Sequence, residues 1–581
     1  MTHARTGSQA APLRLNPADD LCDSGDERES ERIPFGEGRY QVRVLLSTLV
    51  AGSITLMATD VFNLSMRVMD HWCERPAAFT ELSAEKWKQM AIPRYPNGSY
   101  SKCTVRGSQD AGAPAVVAHC QAWQFNLTQF GHNAVSEWSL VCHRAYLRDV
   151  SEAVNRAATV IVVPLVGVAA DHIGRKAVTI VALTALLLAL IVSTVALNFT
   201  TFAVMASVVA ASSRSLSALF VLLYEVTTAS RRCLYCTLAP TLPAVLAPLF
   251  KYLVDSLKVS WSLSYQLLAA ISFVLLATFW FIEESSDWLL APHKPEEAER
   301  VVLKLASVNS VSTRECRALF RKGFQRLSLQ LSAETLHFRP QSRSSAFLLA
   351  FSWFVVSWGH TYDSRKSAVT ANVYVLFGVA VSVVPLFLVI WPFLKGGKGV
   401  KRVMAISMLV SSACSALLFV PLTDHIAPLE ALLLVAMRLF NSLCLILIFL
   451  LTVSFCPTTL RCTAVATGMA IGNFTGKAGQ LFFEYVIAPR NDIALGVAAV
   501  LMALAAVATE HLPSKHTRSL ASARITSHTT ALSRPSAIQP DLWYPEKAAT
   551  ATCKGSQTSV GRQTHCTSVG RAERFLGRPA P

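Results

Sequence analysis

Long apolar runs separated by shorter polar segments fill most of the chain between residues 44 and 509. The hydrocarbon core of a bilayer is about 30 Å thick, so a helix needs roughly 20 apolar residues to cross it. Six runs precede the polar segment 283–345 and six follow it, at residues 44–64, 150–170, 177–197, 201–224, 233–254, 263–282, 346–361, 371–393, 403–421, 429–453, 462–487 and 492–509. We therefore predict an all-α membrane protein with about 12 transmembrane helices in two six-helix bundles.

The polar segments divide the chain into five parts. Residues 1–43 form a predicted N-terminal segment that is partly disordered, and residues 512–581 a disordered tail, because both lack an apolar run. The predicted N-terminal bundle covers residues 44–282, with a long outer loop at 67–149. The central loop is 283–345, and the C-terminal bundle is 346–511.

Composition agrees with a location in the bilayer. Of the 581 residues, 52% are hydrophobic and only 15% are charged, whereas soluble domains are about a quarter charged. The net charge of +16 could suggest nucleic-acid binding. We disfavour that interpretation because Lys and Arg are spread over the loops between spans, as the positive-inside rule predicts. The expected partner is the lipid bilayer, with no nucleic acid.

Short loops give the predicted orientation. Those assigned to the cytoplasm are basic, at Arg175 and Lys176 and again at Arg231 and Arg232, while the segment 198–200 has no charge. Arg365 and Lys366 go against the rule and have no explanation. The alternation nevertheless places both termini in the cytoplasm.

The outer loop has the chemistry of an oxidising compartment. An even number of cysteines there predicts two disulfides, with three possible pairings. Two sequons, at Asn97 and Asn126, predict glycosylation. These features favour the plasma membrane. The loop's cysteines are Cys73, Cys103, Cys120 and Cys142.

The most specific motif follows the second predicted span, as Gly167-Val-Ala-Ala-Asp171-His-Ile-Gly174-Arg175-Lys176. It fits the signature of the major facilitator superfamily, G-x3-D-[RK]-x-G-R-[RK], with His172 at the first basic position. Its glycines allow close helix approach and a tight turn. Asp171 can pair with a basic residue across the bundle interface. Breaking that pair would allow the bundles to move.

Further segments resemble the organic cation, organic anion and carnitine transporter family, solute carrier family 22. Phe35-Gly36-Glu37-Gly38-Arg39-Tyr40-Gln41 is similar to its opening "GxFGxxQ" segment. Asp70-His71-Trp72-Cys73 is similar to "DHWC", and Glu137-Trp138-Ser139-Leu140-Val141-Cys142 to "EWDLVC". The resemblance covers roughly residues 34–512. It implies a carrier with the major facilitator fold.

The resemblance also implies a charged gate, with departures. Glu225 followed by Arg231 and Arg232 resembles the family's cluster after span four, and a partner for Glu225 is expected in that turn. Glu284 and Arg461 match further members of the gate. Asp287 stands where the family has Arg, and Ser454 replaces a Glu. The second copy of the signature is reduced to Leu394-Lys395-Gly396-Gly397-Lys398, without an Asp.

Candidate substrate-binding residues lie within the predicted spans. Lys477 occupies the position that is basic in the family's anion carriers and acidic in its cation carriers, which favours an organic anion or zwitterion. Phe387 stands where anion carriers usually have a Lys. Arg214 is a second cation that would add positive charge. The aromatics at roughly helical spacing in span seven would line a cavity or else pack the bundle; they are Trp353, Phe354, Trp358 and Tyr362.

Two functional interpretations remain open. The first is a secondary carrier of small organic ions that works by alternating access, with an unknown coupling ion or counter-substrate. The second is a non-transporting, receptor-like relative, which the altered gate charges favour. An enzyme is disfavoured because no HExxH, nucleophile elbow or clustered His/Asp/Glu set occurs, and without a Walker loop no ATP-driven transport is expected. No cofactor and no metal are expected.

Overall fold

The computed structural model describes residues 35–79, 81–106, 117–290, 294–321, 343–360, 399–419, 427–482 and 491–512. All of them belong to the unit Met1–Ala523. The predicted span 371–393, Tyr362, Phe387, residues 394–398 and most of both terminal segments lie outside the described residues. We call residues 35–290 the first half and residues 343–512 the second half.

Long helices dominate the first half. A single long helix, α1, precedes the outer loop, and five more long helices follow it. Two shorter helices then occupy the predicted central loop, and the second of them lies between the two halves. The bounds of the helices are α1 Arg39–Ser65, α2 Ala84–Ala91, α3 Leu127–Phe130, α4 Ala134–Glu137, α5 Tyr146–Ile173, α6 Arg175–Thr194, α7 Phe199–Ser215, α8 Ser217–Val226, α9 Ala229–Ser256, α10 Trp261–Thr278, α11 Ser286–Leu290 and α12 Pro295–Val308.

The described part of the second half is also helical. Residues 343–360 are helical, followed by α13 Gly399–Phe419, α14 Ala427–Phe455, α15 Arg461–Phe482 and α16 Asn491–His511. Between the halves, residues 313–321 are helical as well. Single 3₁₀ turns occupy Ala77–Phe79, Cys142–Arg144, Phe279–Phe281 and Thr458–Leu460. Within the described residues, eight helices are long and apolar enough to cross a membrane. The all-α membrane class is therefore confirmed.

One predicted span is interrupted. The run 201–224 was expected to form one helix, but α7 ends at Ser215 and α8 begins at Ser217. Side-chain caps begin α7 and α10, where Asn198 and Ser260 accept from backbone N–H groups in the first turn. The Asn198 side chain thus serves as a helix cap.

The outer loop forms a small disulfide-bonded subdomain. Two antiparallel pairs join β1 His71–Cys73 with β4 Trp123–Phe125, and β2 Thr104–Arg106 with β3 Val117–His119. The disulfides pair Cys73 with Cys120 and Cys103 with Cys142. This selects one of the three pairings that the sequence left open. Glycosylation of Asn97, whose side chain is exposed, and of Asn126 stays a prediction.

We expect Cys103→Ser to destabilise the outer loop by about 2–4 kcal/mol, because the disulfide closes a long loop in the unfolded chain. The sequence separation of its cysteines is 39 residues. Peptide mapping of the non-reduced protein checks the disulfide pairing, and the amount of protein at the cell surface reports the loss of stability. Cys316→Ser, at a cysteine with a free thiol, is the control. A Cys73–Cys103 or Cys73–Cys142 peptide would contradict this connectivity.

The two largest of four clusters of buried apolar side chains form most of the core in the described residues. The first comes almost entirely from residues 35–320 and takes in Leu450, Val453, Cys462 and Val465 of the second half. The second comes from residues 349–512. These four second-half residues of the first cluster lie in α14 and α15. These helices therefore meet the first half where the signature motif also lies.

Candidate functional site

The signature motif forms the turn between α5 and α6. Gly174 ends α5 with φ of +126°, a backbone conformation that L side chains rarely adopt. A Cβ at this position would collide with the Glu284 carboxylate. Glycine is therefore required both for the turn and for the approach of Glu284.

Glu284 caps α6 from outside the motif. Its two carboxylate oxygens accept hydrogen bonds from the backbone N–H groups of Arg175 at 3.1 Å and Lys176 at 3.0 Å. A carboxylate at a helix N-terminus is stabilised by the helix dipole. Burial raises the pKa of Glu284 above its ordinary value, while hydrogen bonds from the backbone of Ser285 and Lys176 oppose that shift. The predicted gate position Glu284 thus orders the start of α6.

Asp171 connects the two halves. Its carboxylate accepts the backbone N–H groups of Cys462 at 3.2 Å and Thr463 at 2.8 Å, and the Thr463 hydroxyl at 2.7 Å. Those groups belong to the first turn of α15, whose N–H groups have no partner within the helix. Asp171 was expected to pair with a basic residue across the interface. Its partner there is instead a helix N-terminus, and its ion pair, 3.3 Å to Arg175, lies within its own half.

Arg175 lies at the centre of a buried charge network. Its Nη2 donates to Glu225 Oε1 at 3.1 Å and to the Thr458 carbonyl oxygen of the second half. Arg461 donates to the same Glu225 oxygen at 3.3 Å. The side chains of Arg175 and Glu225 are fully buried, and that of Arg461 is 9% exposed. We call Asp171, Arg175, Glu225, Glu284 and Arg461 the interhalf network.

The partner expected for Glu225 was wrong. Arg231 forms an ion pair with Glu37 at 3.1 Å, and Arg232 Nε donates to the carbonyl oxygens of Tyr224 and Thr227. Arg232 therefore bonds within its own turn, and Arg231 pairs with the segment that precedes α1. The fold instead brings Arg175 and Arg461 to Glu225, so that its Oε1 accepts from one cation of each half.

Gly167 allows α5 and α15 to pack closely. A Cβ at Gly167 would lie 2.5 Å from Ala466 Cβ and 2.9 Å from the Cys462 carbonyl oxygen. Both groups belong to the second half. The motif's first glycine therefore sets how closely the halves approach beside the interhalf network.

Asn309 was not predicted as a functional residue, yet its side chain holds residues 35–41 in place. Its Oδ1 accepts the Tyr40 N–H at 3.0 Å, and its Nδ2 donates to the carbonyl oxygens of Phe35 and Gly36. The Tyr40 hydroxyl also donates to the Glu283 carbonyl oxygen. The available signal was an Asn directly after an amphipathic helix, a common helix-ending residue. The segment preceding α1 is thus attached to α12 of the central region.

The altered gate positions have local contacts. Asp287 is buried in α11, next to Trp288, whose Nε1 donates to the Asp171 carbonyl oxygen at 2.7 Å. Ser454 donates to the Leu451 carbonyl oxygen within its own helix. Lys176 also forms a looser ion pair with Glu283 at 3.7 Å.

The aromatic candidates of span seven have different surroundings. Trp353 is buried, donates to Thr452 Oγ1 at 3.0 Å and packs edge-on against Phe449. Trp358 is also buried, whereas Phe354 is 40% exposed. Packing thus accounts for Trp353. Substrate contact by these residues stays a prediction.

The two cationic candidates belong to opposite halves. Lys477 is in α15, but its side chain lies outside what the structure describes. Arg214 is in the last turn of α7. Its guanidinium donates to the Ala210 carbonyl oxygen at 3.1 Å and to Thr59 Oγ1 of α1 at 3.2 Å.

One group of potential metal ligands occurs among the described residues. His71, Cys103 and Cys142 bring their ligand atoms within 4.8 Å of one another. Both sulfurs are joined in the Cys103–Cys142 disulfide, and a metal needs the thiolate form. This group is therefore part of the outer loop's covalent framework.

Known proteins resemble this chain in sequence and in fold. No family model matches the chain. Solute carrier family 22 member 7 from Bos taurus is 24% identical over 444 residues, covering 71% of this chain and 80% of that protein. Organic anion transporter 3 from Mus musculus is 25% identical over 485 residues, covering 78% and 84% respectively.

A solved structure shows the same fold. The proton:xylose symporter XylE is 12% identical, covers 82% of this chain and 96% of its own, and superposes with a TM-score of 0.54. These similarities support a transporter. The chain is a multi-pass membrane protein with the major facilitator fold, and its resemblance to solute carrier family 22 is confirmed.

Proposed function

We propose that this protein is a secondary active transporter of small organic anions or zwitterions that works by alternating access in the plasma membrane, with both termini cytoplasmic. The observation that carries the proposal is the interhalf network. Asp171 and Glu225 of the first half bind α15 and Arg461 of the second half through a few hydrogen bonds. Such bonds can break and reform as a unit.

Separating the two halves at the interhalf network requires specific hydrogen bonds to break. Asp171 must release the N-terminus of α15, Arg175 must release the Thr458 carbonyl oxygen, and Glu225 must release Arg461. Arg175 and Glu225 both lie in the first half and can stay paired, so the network separates without leaving that half's charges unpaired. Glu284 likewise keeps α6 capped, because both lie in the first half. Rocking of the halves about a central site would then expose the substrate to the cytoplasm.

Two lines favour an anion or zwitterion. Lys477 lies at the position that is basic in anion carriers of the family it resembles, and a cation inside a membrane span normally faces a cavity or a partner. A similar protein also bears the name organic anion transporter 3. The sugar named for XylE adds nothing here, because that similarity concerns the fold.

Uptake by cells that express the full chain tests this proposal. We expect labelled aromatic monocarboxylates or amino acids to accumulate and tetraalkylammonium ions not to. Lys477→Ala should reduce uptake about tenfold or more, because charge-assisted hydrogen bonds contribute about 1.5–3 kcal/mol. Lys258→Ala, at an exposed lysine of the outer region, is the control. Uptake restricted to tetraalkylammonium ions would contradict the anion assignment.

A non-transporting, receptor-like protein is the second candidate. The observations that favour it are Asp287 in place of Arg, Ser454 in place of Glu, and the reduced motif at 394–398. If none of the probes accumulates although the protein reaches the cell surface, this candidate becomes the better explanation.

A further inference from the structure

Arg214 is a cation near the middle of an apolar span. The segment Phe199–Val226 is long and apolar enough to cross a membrane. Arg214 lies about 22 Å along the helix from Phe199, one residue before α7 ends at Ser215. Ionisable residues at such depth are rare and normally have a charged partner or face a polar cavity.

Its bonding differs from that of the buried arginines in the interhalf network. Arg175 and Arg461 both bond the Glu225 carboxylate. Arg214 instead donates to one carbonyl and one hydroxyl, and within the described residues no carboxylate lies within 4 Å of its guanidinium. A guanidinium has five N–H donors, so three of them have capacity for another acceptor.

Neighbouring charges leave this cation uncompensated. Arg156 of α5 lies close enough to repel it, and Arg156 is itself paired with Glu152 at 2.9 Å. Asp60, which follows Thr59 in α1, interacts with Lys251 of α9. In the described part of the chain, the positive charge of Arg214 thus lacks an anionic partner.

We propose that Arg214 binds the carboxylate of the transported substrate, while the Thr59 hydroxyl oxygen holds the guanidinium by accepting from its Nη2. The planar guanidinium fork matches a carboxylate in bidentate geometry, which a lysine ammonium cannot do. The proposal rests on the proposed transport function and narrows its substrate to organic carboxylates. It places one recognition residue in the first half, whereas the candidate Lys477 belongs to the second half.

Substrate-dependent stabilisation of the purified full chain tests this assignment. The probes are acetate, succinate, benzoate and 3-phenylpropionate, each beside its amide, with 3-phenylpropylamine as the cation. A ligand that binds only the folded protein raises its unfolding temperature. We expect at least one carboxylate, and no amide, to stabilise the wild-type protein.

Variants then assign the binding residue. Arg214→Gln should weaken carboxylate binding at least tenfold, while Arg214→Lys should keep part of it because the charge remains. Arg156→Gln should change binding less than threefold, since Arg156 already has a carboxylate partner. Without ligand, Arg214→Gln should unfold at or above the wild-type temperature, because it removes an uncompensated charge.

Different results would contradict the Arg214 proposal alone or the transport proposal as well. If Arg214→Gln binds carboxylates as tightly as the wild type while Lys477→Ala does not, the Arg214 proposal fails and anion transport stands. If ligand-free Arg214→Gln unfolds at a lower temperature, its guanidinium is a structural cap of α7 and the proposal also fails. If only the amine stabilises the wild type, or no probe does, both proposals fail together.

Discussion

Glu225→Gln should lower the free energy of unfolding by about 3–5 kcal/mol, the usual cost of breaking a buried ion pair from one side. Glu225 Oε1 accepts from both Arg175 and Arg461, so the neutral amide leaves two buried guanidinium groups without their shared carboxylate. Asp171 still offsets part of the Arg175 charge, whereas Arg461 exchanges a carboxylate for a neutral acceptor at residue 225. Thermal and chemical unfolding of the purified full chain measures the effect.

Asp255→Asn is the matched control. It removes the carboxylate partner of Arg67, in a pair whose side chains are 42% and 31% exposed. Exposed pairs of this kind contribute about 0–1 kcal/mol. Equal effects of the two substitutions would contradict a structural role for Glu225 beyond that of a surface pair.

Sequence alone located much of the interhalf network because one part of it is local. Gly167, Asp171, Gly174 and Arg175 lie within one ten-residue motif at the end of an apolar span. The spacing required a turn there, and the turn requires Gly174 with positive φ. The local sequence was therefore sufficient to predict these four positions.

The partners across the network could not be predicted in the same way. Glu225 and Arg461 are 236 residues apart, and their contact depends on how α8 and α15 pack. Arg231 and Arg232 follow Glu225 by six and seven residues and were the expected partners. Arg231 instead pairs with Glu37, and Arg232 bonds backbone carbonyl oxygens. A buried carboxylate requires compensation, yet that requirement does not specify which cation provides it.

Two other features have little local signal. The break at Leu216 occurs in a run without Gly or Pro, and its local signal is the polar stretch Ser212-Ser213-Arg214-Ser215-Leu216-Ser217. The disulfide pairing depends on the register of two short strand pairs, since β1 pairs with β4 and β2 with β3. Four cysteines in one loop specify the number of bonds and leave their connectivity open.

The interhalf network also bears on the altered gate residues. Glu225 and Arg461 connect the halves without a charge at residue 454, and Ser454 bonds only within its own turn. Trp288, beside Asp287, supports the Asp171 main chain. The halves thus stay joined at this end although two of the charges that the family resemblance implies are absent. Under the proposed function, these remaining contacts favour the carrier over the non-transporting relative.

Gly167→Val should separate α5 from α15 and increase the reactivity of Cys462. The added side chain would overlap Ala466 and the Cys462 carbonyl oxygen, both of which belong to the other half. Overpacking costs about 1–3 kcal/mol, and a shift of that size changes an equilibrium constant by about fivefold to more than a hundredfold. In the proposed mechanism the strain is relieved when the halves separate at this end. The Cys462 thiol, which is 2% exposed in the closed gate, should then react with a membrane-permeant maleimide correspondingly faster.

Peptide mass spectrometry of the labelled full chain identifies Cys462 against the other free thiols, and Cys462→Ser provides the blank. The matched control is Gly496→Val, since the nearest atoms to a Cβ at Gly496 are ring carbons of Phe419 at 3.4 Å, in the same half. That change adds the same bulk without touching the junction between halves. Faster labelling in both variants would indicate general loosening of the protein, whereas unchanged labelling in Gly167→Val would mean that α5 and α15 do not separate. Only labelling that rises at Gly167 and not at Gly496 is consistent with a gate whose closure depends on the contact between α5 and α15.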